Sequence, residues 1–497
     1  MKRNKFSLSY YKLLSCDLGE LVPVGLTEVL PGDSIQHSTN CLLRCSPLLT
    51  PVMHPVDVRI HHWFVPHRLV WEDWEDFITG GPDGEDVSVF PTITFATGPV
   101  VGTLSDYLGV PPGINGIEVS ALPYRGYGLI WNEWYRDQDL QTELTIDVGS
   151  GADSTTNTTL QHCSWEKDYY TSSRPWEQKG PSITVPLGDT APVLGIGSAN
   201  QTFAANPATI YETGGTASTS YAYAKDFEPT VTDRLMYVEG TAASGGYPNI
   251  RADLSEASAI TINALREALA LQRFAEARAR YGSRYVEYLR YLGVKSSDAR
   301  LSRPEYLGGG RQSIQFSEVL QTAEGTNPVG ELRGHGISAL RSNRYRRFFE
   351  EHGYIHTFLS VRPKTIYAQG LNRHWNRRVR EDYWQQELQH IGQQMVLYKE
   401  LYAGHATPEG QFGFQDRYDE YRRTESTIAG EFRTTALDMW HMARIFASDP
   451  ALNADFVKCV PTERTFAVPS EDVLWIMAKH SMQARRLVAS TGSSFIY

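Results

Sequence analysis

The run PVDVRIHHWFVP sets the tightest limit on what this chain can fold into. Val56, Val58, Ile60, His62 and Phe64 alternate with Asp57, Arg59, His61 and Trp63, and Pro66 closes the run. Side chains of a strand alternate between faces, so this is a half-buried strand whose apolar side needs a second layer to cover it. Just before it, LVPVGLTEVLPGDSIQ is β-branched and closes at Pro31-Gly32-Asp33, a turn composition. With 41 Gly and 26 Pro spread along 497 residues, the first reading is of many short strands joined by many turns. IHTFLSVRP adds a further strand late in the chain.

Helical periodicity interrupts this β texture. RLVWEDWEDFITGG puts Trp71, Trp74 and Ile78 on one face of a short helix stopped by Gly80-Gly81. In LPYRGYGLIWNEWYRDQDLQ, Tyr127, Ile130, Trp131, Trp134 and Tyr135 recur at spacings of three and four, opposite Asn132, Glu133, Arg136 and Asp137. Trp and Tyr favour places that are mostly dry with one wet edge. This stripe is either a core helix or a surface made to be covered, and periodicity alone leaves the two even. The strongest helix lies within 257–293: Ile262, Leu265 and Leu269 share one side, while Leu271 and Phe274 point nearly opposite. A helix apolar on two sides is covered on two sides, here by its own domain and a neighbour. EDYWQQELQHIGQQMVLYKELY reads as an aromatic helix, and residues 142–249 as Ser/Thr/Gly-rich surface loops.

Little in the chain suggests chemistry. His54, His61, His62 and His67 are close in sequence, but neighbours in a strand face apart. There is no HExxH, no His-x-His and no GxSxG, and Cys41-x3-Cys45 has no partner pair. Glu72, Asp73, Glu75 and Asp76 are most simply the solvated face of a short helix. Five scattered cysteines fit a reducing compartment without a disulfide framework. No run has the length of a membrane span, and MKRNKFSLSYYKLL lacks the apolar core of a signal peptide. The expectation is no enzyme, no metal, no cofactor and no membrane insertion.

Charge is uneven. The net charge is −10, which argues against coating nucleic acid with the whole surface. Yet residues 341–380 hold ten Lys and Arg against only Glu350 and Glu351. RSNRYRRFF and NRHWNRRVREDYW interleave Arg with Tyr, Trp and His, the composition of single-strand binding surfaces. Arg344, Arg346, Arg347, Arg373, Arg377, Arg378 and Arg380 are therefore candidate DNA-facing residues. Intersubunit ion pairing with the acidic remainder explains them equally well.

Several long motifs now stand together: LVPVGLTEVLPGDS, SPLLTPVMHPVDVRIHHWFVPHRLVWEDWEDFITGG, LPYRGYGLIWNEWYRDQDLQ, DYYTSSRPWEQKGP, SSDARLSRPEYLGGGRQSIQFSEVLQT and QGLNRHWNRR. In these the chain resembles the major capsid proteins of the microviruses, small tailless single-stranded DNA phages, and most closely their gokushovirus-like branch. The resemblance covers most of the chain outside 142–162 and 188–250, and the tail after Pro469 matches weakly. It implies a mainly β protein, an eight-stranded antiparallel viral jelly roll with long, partly helical insertion loops, as a single domain over 1–497 with a variable surface insertion at 188–250. It also implies a T=1 icosahedral shell of sixty subunits around circular single-stranded DNA, aided by a small basic DNA-binding viral protein. Such a shell is assembled in the host bacterial cytoplasm and leaves as the virion. The insertion, with Gly195, Asn200, Tyr211, Tyr221 and Tyr223, is the candidate surface for a host cell-surface receptor. Trp71, Trp74, Tyr127, Trp131, Trp134 and Tyr135 become candidate intersubunit contacts. The alternative is a non-enzymatic carbohydrate-binding jelly-roll surface protein using exposed Tyr and Trp as sugar platforms.

Overall fold

The alternating run at Val56–Pro66 is a strand in the computed structural model, at the interior of a four-stranded antiparallel sheet. The structure describes residues 3–183, 262–282, 284–322 and 329–490, with the backbone of short strand segments between 193 and 252. The chain divides into two compact units, Met1–Glu177 with Tyr281–Tyr497, and Gln178–Arg280. In the first unit the main strands are, in chain order, β1 (Asn4–Ser7), β2 (Tyr10–Cys16), β3 (Val22–Val29), β4 (Ser34–Cys45) and β5 (Val56–Pro66). The later strands are β6 (Glu305–Ser313), β7 (Gln315–Leu320), β8 (Leu332–Arg341), β9 (Tyr345–Phe348), β10 (Gly353–Pro363) and β11 (Leu474–Arg486).

These build two sheets. The larger runs β1-β11-β4-β8-β7, with β2 also on β11 and β9 also on β4; the smaller runs β6-β5-β10-β3. Every pairing in both is antiparallel. Cys41, Leu43, Leu340, Ile476 and Ala478 from the larger sheet meet Val24, Val58, Ile60, Leu359 and Val361 from the smaller in one core. The two sheets thus pack face to face, as antiparallel sheets with one apolar face must. The protein is mainly β.

Strand β5 is more buried than a two-layer reading allows. His62 and Phe64 point into the sandwich as expected, but Trp63 and Val65 are buried on the opposite face. They join Trp71, Tyr124, Tyr127, Ile130, Trp131 and Phe358 in a second core. A third layer, built by the insertion after β5, covers the smaller sheet.

That layer holds α1 (Trp74–Thr79) and α2 (Leu122–Ile130). Gly80 ends α1 in the left-handed region, φ 88°, and its N–H closes on the Asp76 carbonyl. α2 carries a proline in its first turn and continues into a single π turn over Trp131–Tyr135. Further along, the long periodic run forms α3 (Ile262–Tyr281) and α4 (Tyr285–Tyr291), separated at Gly282 with φ 95°. The aromatic helix expected at 381–402 does not form. The segment makes a 3-10 turn at Arg380–Asp382, a strand, Gln393–Leu397, paired with Gln411–Asp416, and an α-helix only over Tyr398–Leu401. Gly392 at φ 106° breaks the helical periodicity there.

The variable insertion expected at 188–250 lies largely outside the described residues, as do Gly195 and Asn200. Of Tyr211, Tyr221 and Tyr223 only the backbone is described, in the paired strands Ala208–Tyr211 and Ser220–Ala224.

Candidate functional site

The aromatic stripe is internal to the protomer. Trp71 and Tyr127 are fully buried and Trp131 nearly so. Their polar handles are spent inside the chain: Trp71 Nε1 donates to Ser150 Oγ at 2.8 Å, Tyr127 Oη to the Leu21 carbonyl at 3.0 Å and Trp131 Nε1 to the His162 carbonyl at 3.0 Å. Trp134 and Tyr135 are half-buried. Trp134 packs 4.7 Å from Trp63 between ring centroids and under the Arg303 guanidinium, and Tyr135 Oη lies 2.7 Å from His61 Nδ1. The expectation of an intersubunit surface is therefore corrected for Trp71, Tyr127 and Trp131. The smaller sheet's outer face needs an apolar cover, and this stripe is that cover.

The arginines separate by their surroundings. Arg373 Nη1 donates to Glu400 Oε1 and to the Met395 carbonyl, both at 2.8 Å, and Glu400 is 1% exposed. Arg377 lies 3.5 Å from Glu420 and stacks on the Tyr421 ring at 4.4 Å. Both line a cavity of about 150 Å³ with Tyr169 and Tyr170. Burial pushes the Glu400 carboxyl up, and the Arg373 charge opposes that push. A buried carboxylate of this kind needs its guanidinium, so Arg373 is the counter-ion of Glu400, while half-buried Arg377 shares Glu420 with it.

The other five stay exposed. Arg347 pairs with Glu305 at 2.7 Å, and Arg380 with its neighbour Glu381 at 2.6 Å, an exposed pair of little energetic weight. Arg378 donates to the carbonyls of Trp375 and Arg377. Arg344 and Arg346 flank buried Tyr345 at the start of β9.

Between the sheets runs a polar seam that the sequence did not signal, because its members are far apart in the chain. His37 on β4 reaches the Tyr345 hydroxyl at 3.0 Å and His480 at 3.2 Å, and Thr39 Oγ1 lies 3.1 Å from His480. His62 on β5 contacts Thr357 at 3.0 Å and Ser342 at 3.1 Å, with its ring 4.7 Å from that of His37. Burial pushes His37 down to about 3, with the neighbouring His480 adding to the push; burial also pushes His480 down to about 4, opposed by its hydrogen bond to the Val24 carbonyl and aided by Lys12. His62 is held well below the usual histidine range, first by burial and then by His37 and His480.

Among the described residues no group of three or more His, Cys, Asp or Glu converges to hold a metal ion, and no helix is long and apolar enough to cross a membrane. What the chain offers is a large antiparallel sandwich, one sheet face padded by its own insertion, and polar groups spent on internal order. Those are properties of a structural β protein. The capsid-protein family described as "Capsid protein (F protein)" matches residues 1–495, and the chain belongs to it. It is 35% identical over 491 residues to capsid protein VP1 of Bdellovibrio phage phiMH2K, covering 95% of this chain and 90% of that protein. It is 32% identical to capsid protein VP1 of Chlamydia phage 1 (95% and 92%) and 31% identical to that of Spiroplasma virus 4 (95% and 90%). The microvirus resemblance holds across the whole chain: this is a major capsid protein, with a structural role.

Proposed function

We propose that sixty copies of this chain close into a T=1 icosahedral shell around a circular single-stranded DNA phage genome. The capsid-family match over residues 1–495 carries this reading. An eight-stranded jelly roll is the architecture that fits it. β1 and β2 lie end to end along β11, and β8 and β9 end to end along β4. Counted so, four strands face four, in the orders β1/β2-β11-β4-β8/β9 and β3-β10-β5-β6, with β7 as an extra edge.

Helix α3 supports assembly. Ile262, Leu265 and Leu269 on one side, and Leu271 and Phe274 on the other, are all exposed. Apolar area of this kind is what a neighbouring subunit covers. Half-buried Trp74 and Trp134 keep an edge available for the same purpose. We assign the 188–250 segment, including Gly195, Asn200, Tyr211, Tyr221 and Tyr223, to the host-receptor contact. Because the chain carries a net charge of −10, a small basic viral protein shares in neutralising the genome. Assembly takes place in the bacterial cytoplasm and the product is the virion.

Electron microscopy of the purified full chain, expressed with and without a phage genome, tests this. Closed shells of sixty subunits holding nuclease-protected DNA are expected. A discrete small oligomer under every assembly condition overturns it, and favours the sugar-binding alternative.

A further inference from the structure

We propose that the outward face of the larger sheet is a platform for single-stranded DNA, where phosphates meet cations on a face whose strand positions carry no Asp or Glu, and bases stack on Tyr11 and Trp475. This deepens the shell reading and rests on it for the identity of the polymer.

The alternation in β11 is strict. Leu474, Ile476, Ala478, His480, Met482 and Ala484 are buried, while Trp475, Met477, Lys479, Gln483 and Arg485 are exposed on the other side. Register extends that outward row across the sheet. Trp475 sits between Ser15 and Arg44, Met477 between Leu13 and Leu42, and Lys479 between Tyr11 and Asn40. On the far side of β4, Ile337 pairs with Arg44 and Arg341 with Asn40, and Arg346 pairs with Gln36. Lys5 pairs with Arg485 at the other end. The outward positions of β7 are Gln315, Ser317 and Val319, opposite Ile337, His335 and Arg333.

No outward strand position on this face is Asp or Glu, in a chain whose net charge is −10. At its margins Glu331 pairs with Arg333 at 2.6 Å, which leaves Arg44, Arg341, Arg346, Lys479 and Arg485 as the cations of the face, and Asp472 accepts from Ser15 Oγ. Sign segregation on this scale is the electrostatic footprint of a polyanion partner. The apolar middle fits the same partner. Tyr11 is 62% exposed and Trp475 49%. Leu13, Leu42, Trp475 and Met477 line an open depression of about 520 Å³. Lys479 Nζ lies 5.3 Å over the Tyr11 ring, so cation and stacking surface are already paired. At ~3.3 Å per residue, β11 spans roughly 40 Å, enough for the stretch of several nucleotides that single-strand binding surfaces take. A second copy meeting this face with its own equivalent face brings cation against cation, so a homotypic contact is disfavoured by the same charges.

The test uses the purified full chain and a fluorescein-labelled thirty-nucleotide oligo(dT), titrated between 50 and 200 mM NaCl. Neutralising Arg44→Gln, Arg341→Gln and Lys479→Gln together is expected to weaken binding at least tenfold, and to lower the salt slope by about 2, at roughly 0.7 per phosphate contact on a single strand. Trp475→Leu is expected to weaken binding about fivefold or more with the slope unchanged, because it removes stacking alone. Lys295→Gln with Arg300→Gln, two exposed cations on the segment between α4 and β6 and outside the sheet, serves as the comparison and is expected to bind like wild type. Should the triple variant fold poorly, Lys479→Gln and Trp475→Leu singly carry the same test. Unchanged affinity and slope overturn the proposal. So does an equal loss in the Lys295/Arg300 variant, which makes net charge the cause, or normal oligo(dT) binding with failed assembly, which gives the face to a neighbouring copy. Wild type that binds oligo(dT) but never forms shells removes the shell reading and leaves the platform standing.

Discussion

Arg125 and Asp153 form an ion pair in which neither side chain reaches solvent, Nε to Oδ2 at 2.8 Å. Arg125 Nη1 also donates to the carbonyls of Val70 and Gly149, each at 3.0 Å, while Asp153 accepts from the Thr156 hydroxyl at 2.6 Å. The pair therefore ties α2 to the end of the turn before α1 and to the loop at 149–156. Burial pushes the Asp153 carboxyl up, but the Thr156 and Arg125 hydrogen bonds outweigh it and hold the group below its usual value.

Asp153→Asn should therefore destabilise the protomer by about 3–5 kcal/mol, because it strands a buried guanidinium. The sign with pH follows from the lowered carboxyl. Its contribution is full above the unfolded value near 3.8 and is lost as pH falls through the lower folded value, so the variant should lose that acid-limb dependence. Urea midpoints at pH 7 and pH 3 check both. A variant within 1 kcal/mol of wild type at pH 7 would show that the pair is dispensable.

Trp131→Ala should act on the protomer and not selectively on the shell. Removing a buried tryptophan costs about 3–5 kcal/mol through lost burial and the cavity left behind. Soluble, monomeric protein with a sharply lowered urea midpoint is the expected result. Normal protomer stability combined with failed assembly would return the stripe to an intersubunit role.

The strands were legible because their signal is local. A period of two with β-branched residues marks β3, β5 and β10 in the sequence, and each forms where that pattern lies. What covers a face is not local. Periodicity marks the stripe around Trp131 as buried, but its cover, the outer face of the smaller sheet, is set by tertiary packing. The same holds for charge. Arg373 reads as a free cation until Glu400, 27 residues on, is brought against it. His37 and His480 meet across 443 residues. The cations outside the larger sheet become one surface only once the register of β2, β4, β8 and β11 is known.

Acidification should weaken the protomer through the histidine seam. The folded values of His37 and His480, about 3 and about 4, lie below the ordinary 6.5, so the unfolded chain takes up protons first. Stability is full above the unfolded value and falls as pH drops from about 6.5 toward 4. For one group shifted as far as His480, linkage puts the loss at about 2 kcal/mol by pH 5. Thermal melts of the full chain at pH 7.5, 6 and 5 should shift downward in that order. His480→Gln, which keeps hydrogen-bonding capacity without the titration, should flatten the profile. A melting temperature independent of pH across this window, in the wild type, would exclude the seam as its source.

Gly126 lies in the middle of α2, where helix propensity alone favours alanine by about 1 kcal/mol. A Cβ placed there comes 2.7 Å from Nε2 of His356, whose ring is fully buried on β10. The ring has no solvent into which it can swing, so relief requires α2 and β10 to separate. Overpacking of that kind costs about 1–3 kcal/mol, which exceeds or cancels the propensity gain. Gly126→Ala should therefore lower the melting temperature. Adding His356→Ser opens the space the methyl needs, so the methyl should cost less in that background than in wild type, a coupling that a double-mutant cycle reads directly. If Gly126→Ala is instead more stable than wild type, helix propensity governs this position and the close approach to His356 is soft.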